Sequence, residues 1–190
     1  MDQTLAVWIV ILLAFGTASL PFLLQRPLLA LPWAQPGEPE RPAWLRVLES
    51  AVFFSLLAAW CLLTVELIGG AIIIGSDLAS AAMFLGKLLG VGVAAVLLLA
   101  YPGWRMGGVK LEKPVLARIL EVLVLYAMVG AVGFAFEANI GNRFAQGWEF
   151  YAITLSLYLV LAYPGFVLRY LLHRRRQSGS AANKAGKSKA

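Results

Sequence analysis

The stretch Leu99-Ala-Tyr-Pro-Gly103 occurs a second time 62 positions later, as Leu161–Gly165. Each copy closes a long apolar run and is followed by an aromatic residue and then by an arginine. Proline disfavours helical backbone in the residue before it, and the amphipathic ring of tyrosine suits a membrane interface. The repeated stretch therefore predicts two copies of a helical unit, each of which ends or kinks at the same membrane surface.

The composition indicates a membrane protein, because 61% of the residues are hydrophobic and only 14% are charged. Ordinary soluble domains have roughly 45–50% and 25%. Several apolar runs reach the roughly 20 residues that a helix needs to cross a bilayer, and they are continuous, which favours helices over a β-barrel. We predict an all-α integral membrane protein with about five transmembrane helices: Leu5–Leu24, Val47–Gly69, Ala81–Tyr101, Leu116–Ala138 and Trp148–Leu172. The stretch Ala71–Ser80 is either a loop or an extension of the second span, and a merger there would change the helix count.

The repeat extends to the beginning of each unit. Residues Arg41–Glu49 and Lys113–Glu121 share the pattern basic-Pro-x-x-x-Arg-aliphatic-Leu-Glu. A unit with two crossings returns to its starting side, so two consecutive copies form parallel repeats. The predicted organisation is an N-terminal helix (1–24), a Pro-rich cytoplasmic link (25–40), two helical hairpins (41–112 and 113–173) and a basic, disordered tail (174–190).

The basic residues predict the orientation, because cytoplasmic loops carry an excess of Lys and Arg. Fourteen of the sixteen fall on one side of the predicted bilayer. The N-terminus should therefore be outside and the C-terminus in the cytoplasm. The first span has no basic residue before it, so we expect an anchor that is not cleaved. The basic tail either sets the topology or binds anionic lipid or a partner.

Each unit begins with an arginine and a glutamate three residues apart, a spacing that places both on one helix face. These interfacial pairs are Arg46 with Glu49 and Arg118 with Glu121. We interpret them as structural ion pairs, with a contact to a partner subunit or a lipid head group as the alternative.

Four further ionisable residues fall inside or at the ends of predicted spans, where a charge is costly and usually faces protein or water. They are Lys87, Glu149, Glu66 and Glu137. Lys87 and Glu149 lie at equivalent positions before the repeated tyrosine, so they could pair between the units. Lys87 could instead pair with Glu66 or Asp77. A structural pair is the favoured interpretation over a proton or ion path.

The sequence offers no enzyme signature. Its one cysteine, Cys61, and its one histidine, His173, exclude a disulfide within the chain and any multi-Cys or multi-His metal or haem site. No phosphate-binding Gly-rich loop and no nucleophile–base pattern is present. We therefore expect a non-catalytic protein without a cofactor or a metal. Because the basic charge follows the predicted topology, we expect the lipid bilayer and not nucleic acid as its environment.

The second half resembles a family of short proteobacterial inner-membrane proteins of unknown function. The resemblance lies in Leu120–Tyr126, in Gln146-Gly-Trp-Glu-Phe-Tyr-Ala152 and in Ala162–Leu171, together with an N-terminal helix that ends near Ala18–Phe22. It covers roughly residues 1–26 and 113–172, so residues 41–112 are interpreted as an extra, diverged copy. Typical members are about half as long, with three spans.

The resemblance also suggests a function, since genes of this family tend to lie beside those for the membrane arm of the respiratory NADH:quinone oxidoreductase. It implies an accessory or assembly subunit in the bacterial inner membrane that contacts membrane-arm subunits, and it assigns no catalytic residue. The alternative hypothesis is a small transporter or channel that uses the charged residues near the outer ends of the helices.

Overall fold

The chain is all-helical in the part that the computed structural model describes, namely residues 3–35, 37–38, 41–70, 78–106, 113–141 and 144–169. Five helices, each long and apolar enough to cross a membrane, follow one another without a strand in these ranges: α1 Gln3–Leu23, α2 Ala43–Gly69, α3 Leu78–Arg105, α4 Val115–Ile140 and α5 Trp148–Val167. This confirms the predicted fold class and fits a multi-pass membrane protein. Residues 71–77, on which the predicted loop falls, and the tail beyond residue 169 lie outside the described residues.

The third helix runs past its predicted end at Tyr101, because α3 continues through Pro102 to Arg105. Helix α5 passes through Pro164, as its predicted span does, and ends at Val167, before the predicted Leu172. A proline in the last turn removes only one backbone hydrogen bond, so the helix can pass through it. The glycine of each copy instead permits close packing. A Cβ at Gly165 would lie 3.0 Å from the Cβ of Ser19 in α1.

The two units begin alike. Pro42 and Pro114 lie immediately before the first helical residues of α2 and α4. The missing N–H of proline costs little there, because the first N–H groups of a helix have no intrahelical partner. Gly141 follows the last residue of α4, and its φ of 84° is the left-handed conformation typical of a glycine after a helix.

Helix α4 is the centre of the packing and contacts α1, α2 and α5. Helices α2 and α4 lie side by side with their C-terminal ends together, since the Asn139 amide donates a 2.9 Å hydrogen bond to the Ile68 carbonyl. The two hairpins differ, however. Helix α3 packs directly on α2, whereas α4 and α5 touch each other little and both pack on α1. The N-terminal helix thus completes the second unit and has no equivalent in the first.

The described residues of the link after α1 are non-helical, as its prolines predict, but they do not form a fully solvated connection. Leu28, Leu29, Ala30 and Leu31 are all buried and join the core. They occupy the end of the bundle where α4 begins, because the Leu28 amide bonds to a side chain of the second turn of α4. The apolar run Leu28–Leu31 was the sequence signal for this burial.

Candidate functional site

A buried ion pair lies where the link meets α4. The Lys113 ammonium donates to both carboxylate oxygens of Glu121, each at 2.9 Å. The Leu28 backbone N–H donates to the Glu121 Oε1 atom at 2.8 Å. The two side chains are only 1% and 3% exposed. Glu121 therefore ties three segments together: the link, the residue before Pro114, and the helix itself.

The electrostatics of Lys113 follow from this burial. Loss of hydration lowers the pKa of the Lys113 ammonium, and the neighbouring Glu121 charge opposes that effect. The positive charges of Arg118 and Arg169 also lower this pKa. Three basic residues, Lys113, Arg118 and Arg169, therefore lie close enough to interact electrostatically around the one buried carboxylate of the described residues, that of Glu121.

The equivalent residues of the first unit have different partners. Glu49 forms a salt bridge at 2.6 Å with Arg105, at the end of α3, and Arg105 also donates to the Tyr101 hydroxyl. Arg46 donates at 2.6 Å to the Arg41 carbonyl. Side chains in a helix point towards its N-terminus, which directs Arg46 to that carbonyl and away from Glu49. The salt bridges of Glu49 and Glu121 are thus with cations other than the arginines predicted for them.

The four residues expected inside the membrane are not brought together. Helices α3 and α5 make no contact, so Lys87 and Glu149 lie on separate parts of the bundle. Glu66 and Glu149 are exposed, and Lys87 and Glu137 are half-buried. Within the described ranges none of these four forms a salt bridge, and Asp77 lies outside them. Glu149 lies in the first turn of α5, where a negative charge interacts favourably with the helix dipole.

A cavity of about 1060 Å³ lies between α1, α2, α4 and α5. Its wall is mostly apolar, with one or more residues from each of these helices, for example Val10, Val65, Gly130 and Leu157. Glycine at 130 leaves room, since a Cβ there would meet no atom within 4 Å. This space exists because α1, rather than α5, packs closely against α4.

The few polar groups in the middle of the wall bond to one another or to neighbouring helices. The Tyr126 hydroxyl lies 2.8 Å from the Thr154 hydroxyl and donates to the Tyr151 carbonyl. The Tyr158 hydroxyl lies 2.9 Å from the Thr17 hydroxyl of α1. These hydrogen bonds fasten α5 to α4 and to α1, and they leave an apolar surface towards the cavity.

One end of the cavity has a different chemistry. Glu137, in the last turn of α4, lines it together with Gln3 at the start of α1. Three aromatic rings that also line the cavity lie close together at this end: Phe134, Phe150 and Tyr151, with centroid separations of 5.6–6.3 Å. A carboxylate beside aromatic faces is suited to a positively charged group.

The comparisons with known proteins identify a family. A family model described as a protein of unknown function, DUF2818, matches residues 6–73 and 104–173, which is more than half of the chain. The chain belongs to this family. No curated protein and no solved structure matches it.

The two matched segments of the DUF2818 family relate directly to the site. They contain α1 from Ala6 onward and all of α2, α4 and α5, which are the four helices around the cavity. All of α3 except its last two residues lies between them. The match is wider than the resemblance found in the sequence, because it includes residues 41–73 of the copy interpreted there as extra.

Sequence reasoning did not find Lys113 or the cavity. Lys113 was visible only as the basic residue that opens the second unit, and its distance of eight positions from Glu121 is not a helical neighbour spacing. The cavity depends on which helices α1 contacts, and that choice has no local signal.

Proposed function

We propose that this protein is a non-catalytic accessory or assembly subunit of a respiratory NADH:quinone oxidoreductase, and that it lies in the bacterial inner membrane. The proposed orientation, with the N-terminus periplasmic and the C-terminus cytoplasmic, is supported by the distribution of Lys and Arg. The proposed partner, a subunit of the membrane arm, is supported by the family resemblance and by the gene neighbourhood that it implies.

The observation that carries the proposal is the position of α3. Among the described helices, α3 packs on α2 alone, and only three of its residues, Val91, Pro102 and Gly103, are buried. An exposed apolar surface does not by itself require a partner in a membrane, because lipid tails are equally apolar. The shape of the surface is therefore the more informative feature.

The outward surface of α3 carries small residues at every fourth position. Ala82, Gly86, Gly90 and Ala94 are all exposed, and a Cβ at either glycine would meet no atom within 4 Å. This spacing puts the four residues on one face. Small residues let the backbones of two membrane helices approach closely, and such faces are enriched at helix–helix interfaces. We refer to these four residues as the small-residue face, and we propose that a helix of the partner packs on it.

A transporter is less well supported. Such a protein needs polar groups that continue across the bilayer. Within the described ranges, Glu66, Glu137 and Glu149 lie near the ends of their helices, and Lys87 is on a helix that does not contact α4 or α5. The wall of the large cavity is mostly apolar between its ends.

The proposal is tested by purifying the tagged chain from its native membrane in a mild detergent and identifying the proteins that accompany it. We expect membrane-arm subunits with the wild-type protein and a loss of most of them with Gly90→Leu, which fills the small-residue face. Gly92→Leu is the matched control, because Gly92 is also exposed but lies on the other side of α3. Recovery of the wild-type protein alone, or equal recovery of subunits with both variants, would contradict the proposal.

A further inference from the structure

The cavity between α1, α2, α4 and α5 has the size and the lining of a ligand site. Its volume of about 1060 Å³ is slightly above the roughly 300–1,000 Å³ that is usual for ligand pockets. The middle of its wall offers no unsatisfied hydroxyl group, because Tyr126 bonds to Thr154 and Tyr158 bonds to Thr17. A flexible hydrocarbon chain matches this surface better than a polar solute.

The position of the cavity favours a molecule that comes from the membrane. Helices α4 and α5 both line it but touch each other little, so the wall between them is weakly closed towards the surrounding lipid. Gly130 of α4 adds room without an opposing neighbour within 4 Å of its Cβ position. The hydrocarbon core of a bilayer contains no water, so an acyl chain that enters the cavity at this depth displaces none.

The residues at the end of the cavity that contains Glu137 indicate which lipid head group would fit there. Among the residues that the structure describes, Glu137 is the only acidic one in the wall, and it forms no salt bridge with any of them. Phe134 lies one turn before it on the same face of α4, and Phe134 in turn contacts Phe150 and Tyr151. An alkylammonium group is attracted both by a carboxylate and by the faces of aromatic rings. A phosphate or glycerol head group without an amine gains neither interaction.

We propose that the cavity binds a phospholipid with an ammonium head group. An acyl chain lies along α4 and α5 beside Gly130, and the ammonium contacts Glu137 and the aromatic rings of Phe134, Phe150 and Tyr151. Ethanolamine and choline lipids share this chemistry, and the site distinguishes both from anionic lipids. The proposal does not depend on the respiratory partner, since it concerns helices other than α3.

The test uses the delipidated full-length protein in detergent and native mass spectrometry with phospholipids that have identical acyl chains. We expect phosphatidylethanolamine, phosphatidylcholine or both to bind, and phosphatidylglycerol to bind at least tenfold more weakly. A choline or ethanolamine head group without acyl chains should not bind measurably. The comparison of the two amine lipids shows which one is preferred.

Two variants locate the site. Glu137→Gln should weaken binding of the amine lipids about tenfold, which is the order that a single charged contact supplies. Glu66→Gln, the matched carboxylate at the end of α2 outside the cavity, should have no effect. Gly130→Leu should exclude the acyl chain and abolish binding, whereas Gly92→Leu on α3 should not.

Three results would overturn the proposal: equal binding of phosphatidylglycerol, equal effects of the two glutamate variants, or unchanged binding in Gly130→Leu. The last result would indicate that the lipid binds elsewhere on the bundle and not in this cavity. Circular dichroism of each variant checks the helix content, so that a loss of binding is not confused with a loss of fold.

Discussion

The buried pair of Lys113 and Glu121 gives the sharpest test of what holds the bundle together. We predict that Glu121→Gln is strongly destabilising although it keeps the size of the side chain. The variant retains an oxygen for the Leu28 N–H, so the loss is specific to the charge that faces the Lys113 ammonium. Because the Lys113 side chain is 1% exposed, water cannot replace the missing carboxylate.

The expected magnitude follows from that burial. Removal of one partner of a buried ion pair costs about 3–5 kcal/mol. For a chain of this length, each kcal/mol corresponds to roughly 2–4 °C in the unfolding midpoint, so the expected decrease is about 6–20 °C. The double variant Lys113→Met with Glu121→Gln removes both charges and keeps the acceptor for Leu28. We expect it to be within about 1 kcal/mol of the wild-type protein, since neutral replacements of buried pairs are often tolerated.

The assay is thermal unfolding in detergent of the wild-type protein, the two single variants and the double variant, evaluated as a double-mutant cycle. The same cycle on Glu49 and Arg105 is the control. These side chains are 18% and 42% exposed, so their coupling should be below about 1 kcal/mol. Additive effects of the single Lys113 and Glu121 variants in the double variant, or equally strong coupling in the control pair, would contradict the predicted strength of the buried ion pair.

Three further predictions follow from other contacts. Gly165→Ala should destabilise the protein by about 1–3 kcal/mol, because its Cβ would lie 3.0 Å from Ser19, whereas Gly130→Ala, which has no such neighbour, should have little effect on the unfolding midpoint. Trp60→Phe removes a 3.0 Å hydrogen bond from the indole to a backbone carbonyl of α3, so it should increase hydrogen exchange in α3 more than in α4. Burial lowers the pKa of Lys113 below its ordinary value of 10.5. Between the folded-state and the unfolded-state pKa the unfolded protein therefore binds more protons than the folded protein, so the free energy of unfolding should rise with pH in this window. Measured by unfolding at a series of pH values, this rise should be smaller in the Lys113→Met, Glu121→Gln variant.

The number and type of the helices could be predicted from the sequence, because the length of an apolar run is a local property. The ends were less predictable. The prolines of the repeated stretch predict an end at Tyr101, yet α3 continues to Arg105, since a last turn tolerates the one hydrogen bond that Pro102 removes. A local rule cannot decide between an end and a continuation when the difference is a single hydrogen bond.

The charge pairs were less predictable still, because they depend on how the helices pack. The spacing of Arg46 and Glu49 places them on one face, but Glu49 forms its salt bridge with Arg105 of another helix. The partner of Glu121 is likewise a residue outside the helix, Lys113. The cavity has the same origin, since α1 packs on both α4 and α5 and thereby keeps them apart.

The most direct test of the proposed accessory role is site-specific photo-crosslinking in the native membrane, with the crosslinker beside the small-residue face and not on it. The crosslinker is placed at Leu97, an exposed residue two turns after Gly90 on the same side of α3, and, as a control, at Leu85, an exposed residue two turns before Gly92 on the other side. We predict a crosslink from position 97 to a membrane-arm subunit of the NADH:quinone oxidoreductase and a much weaker one from position 85. Crosslinks from position 97 to lipid alone, or to a second copy of this chain, would contradict the proposed role.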